Sequence, residues 1–254
     1  MIRSARLAAA LALVLGAAGV ARAQTGGKGV PDDGEANFAA ARSHLQDGRT
    51  DLAIGEFRAA IKKDGKNPYF YHGLGVALAQ KNELKDALSA FRKSLELNPY
   101  YVQVRNDIGS VLLLMGEREE GKKELMTAFN DPTNSMGEVT ARNLGNAFFE
   151  EKKYEEAVSW YRSSVNRNPG YPDAYQGLAD SLIALGRVDE AIVQLQAGLK
   201  EVPEYPGLKL SLGRAYFEAG RFKESRNELE EVVKKDPVGP DGKAAAELLK
   251  TVPK

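Results

Sequence analysis

The side chains able to do chemistry in this chain are few, and their spacing argues against a reactive centre. Its 254 residues include two histidines, His44 and His72, and no cysteine. Without cysteine there is no disulfide, thiolate metal ligand, cysteine nucleophile or lipid-modified cysteine to consider. His72 has no second histidine or cysteine close by to complete a metal shell. The serines are not set in a Gly-x-Ser-x-Gly turn, and no histidine is phased to activate them. The run Gly73-Leu74-Gly75-Val76 looks like half of a phosphate loop, but no strand precedes it and no Gly-Lys-Ser follows. Acidic clusters such as Glu117-Arg118-Glu119-Glu120 and Glu150-Glu151-Lys152-Lys153 are expected to straddle turns between helices, with acids at the start of the following helix where the dipole favours them. Trp160 and Tyr161 are expected in the core. No catalytic residue, cofactor or metal is therefore expected, and the chain is not expected to be an enzyme.

Composition narrows the class further. Apolar residues make up 43% and charged residues 28% of the sequence, enough to build a core and to solvate its outside. Thirty-five basic residues balance thirty-five acidic ones, so no long-range positive field gathers nucleic acid or an anionic membrane.

The first 23 residues read differently from the rest. Arg3 and Arg6 form a basic start, Leu7 to Val20 an apolar stretch, and Ala21-Arg22-Ala23 a small-residue site. This pattern predicts a secretory signal peptide over 1–23, cleaved before Gln24. Arg22 interrupts the apolar run too soon for a spanning helix, which needs roughly 20 apolar residues, so no membrane span is expected after cleavage. An exported, periplasmic protein is expected, and the loss of three arginines leaves it mildly acidic. Residues 24–33, dense in Gly, Pro and Asp, are expected to be a flexible leader.

What must position any functional residue is a repeat. Small residues recur at Ala41, Gly75, Gly109, Gly145, Ala179 and Gly213, spaced by 34 except for one interval of 36. A second series, Ala53, Ala87, Gly121, Ala157, Ala191 and Ser225, follows twelve residues behind, and Pro99, Pro169, Pro203 and Pro237 follow that. In the fifth repeat Leu178, Leu182 and Leu185 share one helical face, and Val188, Ile192, Leu195 and Leu199 share another. Gly116, Gly186 and Gly220 suit the left-handed residue that ends a helix. Pro203 stops one helix, and Pro206 fits the first turn of the next. His44 holds a place filled by Leu78, Leu112, Phe148, Leu182 and Tyr216 in the other repeats, so it is expected to face the core. The long interval falls in the turn-forming segment 126–136, where a kink is expected.

These phased series resemble the tetratricopeptide repeat family, whose period is 34 residues with two helices per repeat. The resemblance implies an all-α fold, an α-solenoid superhelix of six helix-turn-helix repeats over 34–67, 68–101, 102–137, 138–171, 172–205 and 206–239, with a C-terminal capping helix in 240–254. It also implies a non-catalytic scaffold that binds a protein or peptide in a concave groove lined by the first helix of each repeat. Carried onto this sequence, the groove candidates are Tyr69, His72, Asn106, Arg142, Asn146, Phe149, Gln176, Asp180, Arg214 and Phe217. Arg142 and Asn146 resemble the first element of the clamp by which one variant of the family holds a C-terminal carboxylate. Gly177, Gly207 and Ser211 stand where its other elements would be, so the clamp is not carried over. Exported repeats with a proline-containing insertion before the fourth are similar to the tetratricopeptide pilotin family of type IV pilus biogenesis, although this chain lacks the cysteine of that family's lipoproteins. The resemblance implies an envelope protein as partner and work in assembling a pilus secretin, with an adaptor for a cell-wall or motility complex and the recognition subunit of a partner enzyme as alternatives.

Overall fold

A computed structural model describes residues 33–253. The signal peptide expected over 1–23, and all but Asp33 of the expected leader, lie outside the described residues. Within them the chain is entirely helical, with thirteen helices and no strand: α1 Glu35–Gln46, α2 Thr50–Lys63, α3 Pro68–Gln80, α4 Leu84–Leu97, α5 Val102–Met115, α6 Arg118–Asn130, α7 Gly137–Glu150, α8 Tyr154–Arg167, α9 Pro172–Ala184, α10 Val188–Glu201, α11 Pro206–Glu218, α12 Phe222–Lys235 and α13 Pro240–Leu249. None is long and apolar enough to cross a membrane.

Helix boundaries follow from local chemistry. Proline opens α3, α9, α11 and α13, where its missing N–H costs no helical hydrogen bond. The Asn67 side chain accepts from the backbone N–H of Tyr69 at 3.0 Å and caps α3, meeting one of the orphan donors of the first turn. The turn inside each pair needs one left-handed residue. Gly48, Gly116, Gly186 and Gly220 supply it, while Asn82 (φ 64°) and Lys152 (φ 60°) take the same place in α3–α4 and α7–α8.

The chain forms two compact units that part between Asn134 and Ser135, inside the segment that lengthens the period. Asp131 orders that segment by accepting from the Thr133 N–H at 2.8 Å and from its hydroxyl at 2.6 Å. The same bonds hold its carboxyl below the ordinary range. In unit 1, helices pair as α1–α2, α3–α4 and α5–α6, and each pair packs on the next through α2–α3 and α4–α5. In unit 2 the pairs are α7–α8, α9–α10 and α11–α12, and α13 packs on α12 and α11. First helices also touch successive first helices: α1–α3–α5 in one unit, and α7–α9–α11–α13 in the other.

Each unit has its own core. Phe57, Phe91 and Leu112 anchor the first, and Leu178, Leu182 and Leu195 the second. Tyr161 shows why small residues recur. Its ring is buried between α7 and α9, and a Cβ added at Gly145 or Gly177 would lie 2.8 Å or 2.3 Å from it. Trp160 departs from expectation: it is only partly buried, because it sits one residue away from the face that carries Tyr161 and Ala157. Serines also serve the packing. Ser94 donates to the carbonyl of Pro68 and Ser164 to that of Glu138, both at 2.7 Å, and Ser225 donates to that of Gly213 at 2.8 Å, so each ties the second helix of a pair to the first.

Candidate functional site

The groove candidates all lie on first helices: Tyr69 and His72 on α3 and Asn106 on α5 in unit 1, and the other seven on α7, α9 and α11 in unit 2. In unit 1 the structure places Tyr69 at the surface, 40% exposed, with its ring edge-on to Tyr101 at 5.2 Å. His72 is corrected: it is 2% exposed and cannot meet a ligand. Its Nε2 lies 2.8 Å from Asp107 Oδ2, and its Nδ1 2.9 Å from the Tyr101 hydroxyl. Burial raises the Tyr101 phenol, with Tyr69 and Asp107 adding to it. A carboxylate only accepts, so Nε2–H donates to Asp107, and in the neutral ring Nδ1 accepts from the Tyr101 hydroxyl. Asn106 is also largely buried, and its amide donates to Asp107 Oδ1 at 3.4 Å.

In unit 2 Arg142 needs the same correction. It is 8% exposed, and its Nε and Nη2 both donate to the Tyr171 hydroxyl, at 3.0 and 2.8 Å. The guanidinium lies 3.8 Å from Asp173 and over the Tyr171 ring at 5.8 Å. Burial raises the Tyr171 phenol against the pull of Arg142. Gln176 donates to the Gly207 carbonyl at 3.0 Å and reaches the Ser211 hydroxyl at 3.3 Å. Asn146 accepts from the Tyr161 hydroxyl at 2.6 Å.

The remaining four are partly exposed side chains on successive first helices. Asp180 on α9 and Arg214 on α11 stand 3.8 Å apart with 21% and 40% of their side chains exposed. Phe149 packs on Tyr154 at 5.3 Å and Phe217 on Phe222 at 5.8 Å, so each aromatic sits at the end of a first helix and leans on the start of the second. This surface can bury an apolar side chain and pair a charge. It holds no nucleophile beside a base, and among the described residues no three metal-ligating side chains cluster.

Position-by-position transfer missed the tyrosines that end three repeats. Tyr101 and Tyr171 each reach back 29 residues, to His72 and Arg142. Tyr205 instead donates to Asp173 at 3.3 Å, and burial followed by the Asp173 charge pushes its phenol up to about 12. A second link joins the same row to the next repeat, His72 to Asp107 and Gln176 to Ser211, each 35 residues apart. One nominal groove position is thus spent on holding successive repeats together. The signal was legible as a tyrosine just before Val102, Pro172 and Pro206, 29 residues after His72, Arg142 and Gln176.

Comparison with known proteins agrees with this architecture. Models described as tetratricopeptide repeat match residues 3–68, 38–102, 177–240 and 210–249, and a second such model matches 148–203. The chain is 29% identical over 167 residues to the Hsp70-Hsp90 organizing protein 2 of Arabidopsis thaliana, an alignment of 63% of this chain and 28% of that protein. It is 27% identical over 139 residues to the type IV pilus assembly protein PilF of Pseudomonas aeruginosa, covering 55% of each. The chain therefore spans between about a quarter and about half of these relatives. Among solved structures it is similar to PilW, a type IV pilus biogenesis factor, with a TM-score of 0.73 at 16% identity over 85% of this chain and all of that one. It is also similar to YrrB, a repeat protein with a peptide-binding site, with a TM-score of 0.54 at 20% identity over 76% of this chain and 97% of that one.

Proposed function

Because the chain belongs to the tetratricopeptide repeat family, a family of protein-interaction scaffolds, we propose that it is a non-catalytic scaffold of the cell envelope, exported to the periplasm and holding a partner protein on the first helices of unit 2. The observation that carries this reading is the Asp180–Arg214 pair, on first helices of unit 2 that also carry the partly exposed Phe149 and Phe217. At 3.8 Å and with 40% of its side chain exposed, Arg214 can exchange its contact for a ligand carboxylate while the aromatics anchor an apolar neighbour. Arg142, His72 and Gln176 keep their internal partners. Ser94, Ser164 and Ser225 donate to backbone carbonyls, and both ring nitrogens of His72 are taken up by Asp107 and Tyr101. The N-terminal segment supports export, and likeness to PilF and PilW supports work in assembling a pilus machine of the envelope.

Site-specific photo-crosslinking in the producing cell tests this. A benzophenone side chain at Phe217 should capture an envelope protein. The same probe at Val193, 58% exposed on α10, should not, and Arg214→Glu should abolish the adduct at Phe217. Capture of a pilus secretin or its assembly factors supports the pilus role, and capture of a cell-wall enzyme replaces it with an adaptor role. Equal capture at both positions, or none at Phe217, overturns the groove reading.

A further inference from the structure

The helix that closes unit 2 also lengthens its inner surface. α13 packs on α11 as α11 packs on α9 and α9 on α7, so it continues the row of first helices proposed to hold a partner. Places one period apart run on to it: Asp241 follows Asp173 and Gly207, Ala244 follows Leu210, and Leu248 follows Arg214. Two of these three rows turn apolar on reaching α13. Ala244 is exposed, and Leu248 and Phe217 pack, partly buried, on the same small core as Leu210 and Ala245.

The remaining row carries charge that nothing balances. Asp173, with 44% of its side chain exposed, accepts from the Tyr205 hydroxyl at 3.3 Å. Arg142 stands 3.8 Å from it, but its Nε and Nη2 already donate to Tyr171. On the other side of Tyr205 lies Asp241. A Cβ at Gly207 would be 2.9 Å from the Tyr205 ring and 3.5 Å from Asp241 Oδ2, so the missing side chain lets the partly buried phenol stand between two carboxylates. Burial, with Asp236 adding to it, holds the Asp241 carboxyl above its ordinary range. The bases of α9, α11 and α13 are Lys209, Arg214 and Lys243, and they serve other places. Lys209 pairs with Glu231 of α12 at 2.6 Å, Arg214 stands on Asp180, and Lys243 holds the place of Lys209 one period on.

We propose that this edge of the inner surface seats a basic side chain of the partner on the Tyr205 ring, between Asp173 and Asp241, with an apolar neighbour on Leu210 and Ala244. The inference rests on unit 2 being the partner surface and adds the chemistry of the segment it takes. A cation there gains an aromatic face and two carboxylates, and an acid is repelled. Gly207 precedes Arg214 by seven residues of α11, about 10 Å along the axis, which about three residues of extended chain span. The segment therefore carries a base and an acid three residues apart, the base at the start of α11 and the acid at Arg214, with an apolar residue between them.

Fluorescence anisotropy on the full chain, with labelled ten-residue peptides as probes, tests the seat. One pair of peptides places Lys and Glu three residues apart around a leucine, in both orders, and a second pair replaces Lys by Gln. At least one order should bind, and its Gln version should bind roughly tenfold more weakly. Asp241→Asn should remove most of that difference with circular dichroism as in the parent, and Asp241→Lys should reverse it. Glu247→Lys, the same charge change at an exposed place of α13 outside the three rows, should leave both affinities as they are. Equal affinity of the parent for the Lys and Gln peptides, or a preference that Asp241→Lys leaves in place, would overturn the seat. Arg214→Glu separates it from the contact at Arg214: that variant should weaken the Lys and Gln peptides alike, and if it weakens neither while the Lys preference stands, the Arg214 contact fails and the seat does not. Peptides that bind in neither order would overturn both.

Discussion

At the scale of the residue, the groove candidates divide into those whose bonds hold successive repeats together and those proposed for a partner. Arg142 and Arg214 show the division. Arg142 is enclosed by Tyr171 and Asp173, so Arg142→Glu buries an unpaired carboxylate beside Asp173 and should cost about 3–5 kcal/mol of stability. Arg214→Glu, at a side chain 40% exposed, should change stability by within about 0.5 kcal/mol. Urea unfolding of the two variants beside the parent measures both. The tyrosines supply a pH signature. The Tyr205 phenol, raised to about 12 from 10.0 by burial and Asp173, is favoured in its neutral form by folding. Its contribution is complete below the unfolded value of 10.0 and is lost as pH rises through about 12. Spectrophotometric titration of the folded chain should find several late phenols, and Tyr205→Phe should remove one of them while those of Tyr101 and Tyr171 remain.

At the scale of the element, the turn inside each pair sets the next test. Lys152 holds the left-handed place at φ 60° that glycine fills in four other pairs. A side chain there is strained, so Lys152→Gly should stabilise the protein by about 0.5–1 kcal/mol, read as a higher melting temperature. Asn82→Gly should gain less, since asparagine tolerates that conformation. The same turns mark what was legible in the sequence. Gly116, Gly186 and Gly220 announced their turns by residue type, whereas Lys152 carries no local signal and shows only through its period. The helices were legible because prolines and small residues recur in phase. The candidate surface was legible only in part. Periodicity assigns a face to His72 and Arg142 but is blind to a tyrosine 29 residues on that closes over them, because that contact joins the two ends of one repeat.

At the scale of the whole molecule, stability rests on packing between successive helix pairs, within two units that each carry a core. The sequence has no cysteine, and His72 is consumed by Tyr101 and Asp107. Chelator and reductant should therefore leave the melting temperature unchanged, and a fall with EDTA would reveal a metal that this account omits. Arg214 and Phe217 are proposed to bind a partner, Arg214 while contributing little to the fold and Phe217 while also packing on Phe222 and the core beneath it. The most direct measurement is the affinity of the partner captured at Phe217 for the parent chain and for the double variant Arg214→Glu, Phe217→Ala, by calorimetry at low salt. The expected result is binding weakened by roughly a hundredfold, as a charge-assisted contact and an apolar anchor are lost together, with circular dichroism close to the parent and melting lowered only by the packing that Phe217 loses on Phe222. Equal affinity in a folded double variant would contradict the account.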